Sequence, residues 1–436
     1  MSVKRRVVVT GLGPVSPLGF GKDIFWDSIL KQRVVLEKEK FSIKKEVWDS
    51  FLLHKVVDFN FDKFFPDERI IEDIKSWKGH REDRLLLYLL ASIKLALDDS
   101  KLSLINADSD DVGIFLTAEH PGFESFCQGL LEETLEFLEK QIASKKDFSK
   151  KDTFSHLYEK FVQHGYDLQT FMYLFLIAKA FGIHGYSLFT NNACASGLFA
   201  MDAAVNQIKY GKSKIAIVAG GDFSCTMFKH LWFKTRGMYA EDGKIKPFSK
   251  KANGIALGDG AYAMVFEELE HALSRKAKIY AEYLSGGFSL EGWKVTLPLP
   301  GSLSYQKAIK QALDSSDLRP KDISLINPHG VGIKVTDAYE AKAITEIFGK
   351  KPKNLVSAFK PFIGHNLGGS AIAETIITLL SMQKGIVPPT LNCDDVEDKY
   401  HIALVKALIK KQLNIVMKLS CGFAGYNGSV IFKKYD

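Results

Sequence analysis

Short β-branched runs alternate with helical patterns along most of the chain. Runs typical of strands occur at residues 6–10, 112–116, 214–219, 261–266 and 429–432. Apolar residues recur at spacings of three and four in longer segments, which predicts helices at residues 83–100, 196–210, 305–316, 337–348 and 370–384. Strands that alternate with helices are typical of an α/β fold, and we expect that class here.

Two parts of the chain resemble each other. Residues 93–100, Ile-Lys-Leu-Ala-Leu-Asp-Asp-Ser, match residues 309–316, Ile-Lys-Gln-Ala-Leu-Asp-Ser-Ser, and a shorter match follows in the same order. This indicates an internal duplication, which divides the chain into an N-terminal half, 1–267, and a C-terminal half, 268–436. Duplicated α/β units tend to place their active site at the seam between the halves, at strand ends.

Two segments lack clean periodicity. Residues 34–78 are rich in Phe, Lys and Asp, and residues 148–167 have a similar composition. We interpret both as surface excursions from the core and as candidates for an interface.

The bulk composition indicates a large buried core and no membrane segment. Of the 436 residues, 46% are apolar, and no run of about 20 apolar residues occurs without charges. The N-terminus lacks the long apolar stretch of a signal peptide, so we expect a cytoplasmic location. The net charge of +7 is spread along the chain, which argues against nucleic acid as a partner.

Cysteine and glycine spacings argue against several kinds of site. The cysteines are odd in number and never in C-x-x-C spacing, so neither a disulfide framework nor a zinc site is expected. Gly11-Leu-Gly13 follows a strand, but Ser16 stands where a dinucleotide-binding loop needs its third glycine. The glycines at 364–369 open a helix without the lysine of a phosphate-binding loop. We predict no metal and no nucleotide or redox cofactor.

One cysteine stands where thiols are often reactive. Cys194 lies in the run Asn-Asn-Ala-Cys-Ala-Ser-Gly, between a strand pattern at 186–189 and the helix pattern at 196–210. A helix N-terminus lowers the pKa of a thiol, and its N–H groups can hold an oxyanion. Small neighbours would let a substrate carbonyl reach the sulfur. The alternative is an inert buried cysteine at a tight turn.

Two histidines lie in glycine-flanked loops. His329 follows a strand pattern, and His365 precedes the helix predicted at 370–384. Strand ends collect catalytic groups in α/β proteins, although a lone histidine beside glycine is more often a turn or core residue. Lys360 and Glu340 could pair and fix the site electrostatically. The alternative is an ordinary surface ion pair.

These groups stand in an order that is more specific than any one of them. Cys-x-Ser-Gly after a strand is followed by Asn-x-His-Gly, and then by Lys-x₄-His with Leu-Gly-Gly. Further signatures lie at residues 7–19, 246–249, 254–261, 388–392 and 422–428. The set covers nearly the whole chain and resembles the β-ketoacyl synthase family, in particular its elongating, fatty-acid-synthase type. The resemblance implies a thiolase-like fold, in which duplicated halves form a five-layered αβαβα arrangement.

The resemblance implies a condensing enzyme acting on acyl and malonyl thioesters. Cys194 would accept an acyl chain from acyl carrier protein as a thioester. Malonyl-carrier protein would then lose its carboxylate, and the resulting enolate would attack the thioester. His329 and His365 would donate hydrogen bonds to the developing oxyanion.

The same resemblance implies supporting residues and partners. Lys360 and Glu340 match the supporting pair of the family, and Phe423 matches an aromatic residue that shields the malonyl site. No cofactor is implied beyond the phosphopantetheine arm that arrives on the carrier protein. A homodimer is expected, and a heterodimer with a related ketosynthase-like subunit is the alternative.

Several positions depart from the family pattern. Val331 and Ile333 stand where the family has two hydroxyls that contact the pantetheine arm. Cys421 replaces a frequent gating phenylalanine, and Asn392 ends a C-terminal signature. We expect these residues to contact substrate. Each lost hydrogen bond should cost on the order of 1 kcal/mol of carrier affinity, which favours a diverged synthase in a specialised polyene or polyketide-like pathway.

Carrier proteins are typically acidic, so the resemblance also implies a basic docking patch. The candidates are Lys75, Lys78, Arg81, Arg84, Arg236, Lys250 and Lys251. The alternative for each is a solvated surface cation.

Two other functions stay open at this point. A thiolase acting on coenzyme A thioesters typically has a second reactive cysteine near its C-terminus, where Cys421 stands. A non-catalytic partner of a heterodimeric synthase would shape the acyl pocket, but such subunits tend to lack the nucleophile.

Overall fold

The computed structural model describes residues 5–43, 46–65, 83–104, 109–143, 150–224, 226–350 and 352–435. Its strands are β1 (Val7–Ser16), β2 (Gly19–Phe20), β3 (Glu37–Ile43), β4 (Glu46–Leu53), β5 (Val112–Thr117), β6 (Ser187–Thr190), β7 (Ile215–Asp222), β8 (Gly260–Glu268), β9 (Ala281–Leu290), β10 (Leu325–Asn327), β11 (Leu355–Val356), β12 (Ile386–Val387), β13 (Ile409–Lys410), β14 (Ile415–Cys421) and β15 (Tyr426–Lys433). Its α-helices are α1 (Lys22–Leu30), α2 (Arg84–Ser100), α3 (Phe123–Ala143), α4 (Lys150–His164), α5 (Thr170–Phe181), α6 (Ser196–Lys209), α7 (Met227–Lys234), α8 (Leu269–Ser274), α9 (Leu303–Ser315), α10 (Lys334–Phe348), α11 (Lys360–Ile363) and α12 (Ser370–Lys384). Within the described ranges, no helix has the length and hydropathy needed to cross a membrane.

The main sheet repeats one strand order twice. In the N-terminal half the order is β6-β5-β7-β8-β1, and in the C-terminal half it is β11-β10-β14-β15-β9. If the five strands of each half are numbered along the chain, both orders are 3-2-4-5-1. In both halves strand 2 is parallel to strands 3 and 4, and the remaining pairs are antiparallel. The predicted junction, residue 267, falls just before the end of β8, and its position stays a prediction.

The first strands of the two halves join the sheets. β1 pairs with β9 in antiparallel register, with Val7 opposite Tyr283 and Val9 opposite Ala281. The two halves therefore share one continuous hydrogen-bonded sheet, and the duplicated units meet along this pair.

The helices and the two halves of the sheet form five layers, three of helices and two of strands. Helix α2 covers the outer face of the N-terminal sheet, α9 covers that of the C-terminal sheet, and α6 and α12 pack between the two. Side chains on β7 show the alternation expected of a strand buried on both faces. Ile215 and Ile217 pack with α2, whereas Ala216 and Val218 pack with the central helices. The predicted αβαβα arrangement is confirmed.

One predicted surface excursion contains a hairpin that is anchored on the body of the protein at one end. Strands β3 and β4 pair as an antiparallel hairpin, and Phe51, 4% exposed, stacks on His230 with ring centroids 4.5 Å apart. The hairpin is separate from the main sheet and exposes Val47 and Trp48, which agrees with the interpretation of this stretch as an excursion from the core. Its role as an interface stays a prediction. Residues 66–78 lie outside the described residues. The second segment contains α4, which lies at the surface with Phe154 exposed.

Candidate active site

The candidate nucleophile lies on a strained turn between a strand and a helix. β6 ends at Thr190, α6 begins at Ser196, and Cys194 lies between them. The preceding residue, Ala193, has φ +50°, a left-handed conformation that costs a non-glycine residue roughly 1–2 kcal/mol. The Asn192 N–H donates to the Ser196 hydroxyl at 2.7 Å, which ties the turn to the first residue of the helix. The turn thereby places the sulfur at the start of α6.

Two imidazoles approach this thiol. His365 Nε2 lies 3.2 Å from Cys194 Sγ, within hydrogen-bonding distance. The rings of His329 and His365 lie 5.5 Å apart at an angle of 78°. A ring nitrogen of each histidine and the sulfur all lie within 4.8 Å of one another, and all three residues are at most 5% exposed. The groups that separate motifs predict therefore meet in one buried site.

The loop that carries His329 is held by buried carboxylates. Glu340, on α10, accepts the N–H groups of His329 and Gly330 at 2.7 and 2.8 Å, and the Tyr305 hydroxyl at 2.9 Å. Asp337, on the same helix, accepts the next two N–H groups of the loop. Glu340 thus supports the site by fixing the loop backbone.

Lys360 is the cation beside His329, and its partner differs from the predicted one. Its ammonium lies 2.9 Å from Glu374 Oε2, and both side chains are fully buried. It also donates to the His329 carbonyl oxygen at 2.6 Å. The predicted pair of Lys360 with Glu340 is wrong, because both oxygens of Glu340 accept N–H groups of the loop.

His365 is positioned by contact with a neighbouring loop. Its N–H donates to the Ala256 carbonyl at 2.8 Å, and the Gly258 N–H donates back to the His365 carbonyl at 3.1 Å. Gly364 permits this approach, because it has φ +76° and a Cβ there would lie 2.8 Å from the Cα of Gly258. Nδ1 of His365 lies 2.8 Å from the Ser370 hydroxyl, and Nε2 faces the thiol. Because a hydroxyl can donate or accept, Ser370 can satisfy Nδ1 whether or not that nitrogen carries the proton.

Burial and nearby cations keep both imidazoles uncharged. Burial lowers the pKa of His329 and of His365 well below the usual range, and the Lys360 ammonium lowers the pKa of both further. This ammonium, a donor only, lies 3.3 Å from His329 Nδ1. Nδ1 is therefore the acceptor nitrogen of His329, and Nε2 carries the proton. At neutral pH the ring can donate a hydrogen bond from Nε2.

The electrostatics of the thiol differ from the sequence prediction. Burial raises the pKa of the Cys194 thiol above its ordinary value, the Glu119 carboxylate raises it further, and Lys360 lowers it. The predicted lowering by the helix N-terminus is wrong for the resting site, because desolvation outweighs it. The backbone N–H groups of Cys194 and Phe423 nevertheless favour negative charge on the sulfur. These N–H groups can also hold an oxyanion.

The motifs miss two charged residues of this site. Glu374 on α12 and Lys418 on β14 are fully buried, and Lys418 Nζ lies 2.8 Å from Glu374 Oε2. Each is a lone charge in an apolar element, in Ala-Ile-Ala-Glu-Thr-Ile-Ile and Ile-Val-Met-Lys-Leu. That pattern is the signal that could have identified them, because a buried charge needs a partner.

A cleft, the cavity of this site, opens onto the thiol and the two imidazoles. Three of the predicted substrate contacts, Val331, Ile333 and Cys421, line it, as does Phe423. Phe423 packs beside Phe233, with ring centroids 6.1 Å apart. The wall at positions 331 and 333 presents alkyl side chains to a substrate, as the sequence indicates.

Cys421 is a second buried thiol of this cavity. Burial raises its pKa well above the ordinary value, and the Glu340 carboxylate raises it further. Among the described residues, the thiol within hydrogen-bonding distance of an imidazole is that of Cys194. This arrangement favours Cys194 over Cys421 as the nucleophile.

Asn392 lies outside the lining of this cavity. Its side-chain amide donates to the Ile245 carbonyl at 3.1 Å, and its backbone has φ +59°. The predicted substrate contact of Asn392 is not supported, because the amide holds a loop instead.

The docking candidates lie in different surroundings. Lys75, Lys78 and Arg81 fall outside the described residues, so their role stays a prediction. The exposed guanidinium of Arg236 stacks over Trp232, 4.0 Å from its ring. Lys250 forms an exposed ion pair with Asp395 at 3.2 Å.

Comparison with known proteins adds sequence evidence to this geometry. A model of the N-terminal domain of β-ketoacyl synthases matches residues 4–272, and a model of the C-terminal domain matches residues 280–394. The 3-oxoacyl-[acyl-carrier-protein] synthase 2 of Synechocystis sp. is 28% identical over 99% of both chains. The enzyme of the same name from Staphylococcus aureus is 26% identical over 100% of both chains.

Solved structures share the fold over almost the full length. The ishigamide ketosynthase/chain length factor matches with a TM-score of 0.82 and 25% identity, over 99% of this chain and 100% of that one. A β-ketoacyl synthase from Burkholderia phymatum matches with a TM-score of 0.80 and 23% identity, over the same shares. The chain has a thiolase-like fold and belongs to the β-ketoacyl synthase family.

Proposed function

We propose that this protein is a β-ketoacyl-[acyl carrier protein] synthase, which condenses malonyl-carrier protein with an acyl chain held on Cys194. The observation that carries the proposal is the 3.2 Å contact between Cys194 Sγ and His365 Nε2, with the neutral ring of His329 beside it. A thiol with a raised pKa needs a base at this distance, and a neutral imidazole supplies one.

In the first half-reaction, the Cys194 sulfur attacks the carbonyl carbon of an acyl-carrier thioester. The thiol proton moves to His365 Nε2 as the new C–S bond forms. The backbone N–H groups of Cys194 and Phe423 hold the oxyanion. The old C–S bond then breaks, and the leaving pantetheine thiolate takes the proton from His365, so the imidazole is neutral again.

In the second half-reaction, malonyl-carrier protein occupies the cavity. Its C–CO₂⁻ bond breaks, CO₂ leaves, and the electron pair forms an enolate whose oxygen accepts hydrogen bonds from His329 and His365. The enolate carbon attacks the acyl carbon on Cys194, the C–S bond breaks, and the Cys194 thiolate takes up one proton from water. Ser370 supports both steps, because its hydroxyl can accept from or donate to His365 Nδ1.

The cavity wall supports an inference about the substrate class. We infer that the chain elongates fatty acyl or polyketide and polyene-like chains in a specialised pathway, because Val331 and Ile333 offer no hydroxyl to the pantetheine arm. The phosphopantetheine of the carrier protein supplies the thiol, and no resident cofactor enters these steps. Arg236, exposed near the cavity residue Phe233, is our candidate for carrier docking among the described residues.

An exposed sheet edge supports a dimer. β6 is the outermost strand of the N-terminal half, and the adjacent helix α5 exposes Phe171 and Phe175 by about half. Unpaired edge strands beside apolar side chains favour association. We propose a cytoplasmic homodimer. A heterodimer is the second candidate, because the solved relative named above is a ketosynthase/chain length factor. Light scattering of the purified chain distinguishes them, since a monomer would favour the heterodimer.

Mass spectrometry tests the chemistry. After incubation with an acyl-carrier thioester, we expect the acyl adduct on the peptide that contains Cys194. An adduct on Cys421 alone, formed equally from acyl-coenzyme A, would overturn the proposal and favour a thiolase. No adduct from either donor would favour a non-catalytic subunit. A series of acyl-carrier primers then identifies the preferred chain length.

A further inference from the structure

Lys418 is a fully buried lysine on a core strand. Its apolar neighbours on β14 are themselves fully buried. β14 runs parallel to β10, and Lys418 stands opposite Asn327, two residues before His329. An ammonium in such surroundings costs several kcal/mol unless its partners offset the lost hydration. The groups that contact this ammonium therefore show what its charge stabilises.

Two lysines hold the His329 loop from within the core. Lys418 Nζ donates to the Pro328 carbonyl at 3.0 Å, and Lys360 Nζ donates to the His329 carbonyl at 2.6 Å. Both ammonium groups contact the same oxygen, Glu374 Oε2, at 2.8 and 2.9 Å. The other oxygen, Oε1, has no hydrogen-bond partner among the described residues.

This cluster has a net positive charge beside the imidazoles. Two ammonium groups against one carboxylate leave +1, because burial lowers the pKa of Lys418 only to about 8 and Glu374 opposes that shift. Glu340 accepts the loop N–H groups and interacts with Lys418 through charge alone, without a hydrogen bond between them, and Glu119 lies near Cys194. A buried positive charge disfavours a second one on a neighbouring ring.

We propose that Lys418 is a second positioning cation of the active site, which fixes the Pro328 carbonyl and, together with Lys360, keeps His329 and His365 uncharged. Lys418 does not line the cavity, so it acts through the loop and through its charge. The effect on catalytic rate rests on the proposed function, whereas the charge of the imidazoles does not depend on substrate.

The variant Lys418→Met tests this role, because methionine retains an unbranched apolar stem without the charge. The imidazoles then face one ammonium and one carboxylate, and we expect both histidine pKa values to rise by about one unit. NMR titration of labelled histidine rings measures this without substrate, and His329→Gln and His365→Gln assign the signals. Lys411→Met removes an exposed lysine and should leave both titrations unchanged.

A double variant separates charge from structure. Lys418→Met/Glu374→Gln returns the net charge to +1 on Lys360, so the histidine titrations should move back toward those of the native protein. If Lys418 had a purely structural role, the histidine titrations of the double variant should differ from those of the native protein more than those of Lys418→Met do. Unchanged titrations in Lys418→Met would overturn the proposal. If that variant does not fold, Lys418→Arg and Lys418→Gln give the same comparison, and only the glutamine should shift the histidines.

The outcome also separates this inference from the proposed function. Shifted titrations, together with a native protein that forms no condensed product, would contradict the function and leave the role of Lys418 standing. If the native protein forms the condensed product and Lys418→Met leaves the histidine titrations unshifted, the proposed function stands and the role of Lys418 is contradicted.

Discussion

The loop after the second strand of each half leads toward the same thiol, yet the two loops carry different chemistry. β5 ends at Thr117 with Glu119 two residues later, and β10 ends at Asn327 with His329 two residues later. The His329 loop is tied down by Glu340 and by two lysines. Glu119 Oε2 is buried and has no hydrogen-bond partner among the described residues.

Burial affects the two side chains in opposite directions. It raises the pKa of Glu119 to about 7, with the Asp222 carboxylate adding to the shift, and it lowers the pKa of His329. Both shifts favour the uncharged form. A duplicated backbone therefore supplies two equivalent positions, and the side chain at each decides whether it donates to an oxyanion or titrates near neutral pH.

The largest effect should come from removing the group on which both loops converge. Cys194→Ala should lower condensation by at least about 10⁴-fold, because the acyl thioester can no longer form. Decarboxylation of malonyl-carrier protein should persist, since the imidazoles remain. Product analysis and release of labelled CO₂ measure the two reactions, with Cys421→Ala as the matched control. Undiminished condensation in Cys194→Ala would place the nucleophile elsewhere.

The second-largest effect should come from removing the His329 imidazole. His329→Ala removes one enolate donor and should lower malonyl decarboxylation by about 10²–10³-fold. Acylation of Cys194, which uses His365, should change by less than about tenfold. Single-turnover acylation followed by mass spectrometry gives the second rate. Equal losses in both rates would show that the two histidines act as one unit.

Removing the Glu119 carboxylate should have a smaller effect, on the reactivity of the Cys194 thiol, and this effect should depend on pH. Above pH 7 the carboxylate is ionised and raises the pKa of the Cys194 thiol, so Glu119→Gln should increase alkylation by iodoacetamide about threefold at pH 8. At pH 6 Glu119 is mostly protonated, and the variant should match the native protein. A constant ratio of rates from pH 6 to 8 would contradict this assignment.

The smallest effect should come from the cavity wall. Val331→Thr keeps the side-chain shape and adds a hydroxyl, which should lower KM for a carrier-bound thioester about fivefold, on the order of 1 kcal/mol. Val335→Thr, at an exposed position on α10, is the matched control. A higher KM in Val331→Thr would indicate that the wall contacts an apolar part of the substrate.

The sequence predicts the reacting groups because their signals are local. Cys194 and His329 follow strands, His365 precedes a long helix, and each stands beside glycine or other small residues, so these features are visible without a structure. The partner of Lys360 is not local, because Glu340 and Glu374 both lie on nearby helices and only the packing shows which one reaches the ammonium. The predicted direction of the thiol pKa shift is wrong for the same reason, because the burial of Cys194 between the two halves is not visible in the local sequence.

The pairing of β1 with β9 has a mechanical consequence. Because the first strands of both halves belong to one ladder, with Val7 opposite Tyr283, the halves cannot swing apart about a hinge without breaking backbone hydrogen bonds. The distance between the sulfur and the imidazole is therefore set by a continuous sheet and does not depend on a hinge between the halves. Heat should melt both halves in a single cooperative transition.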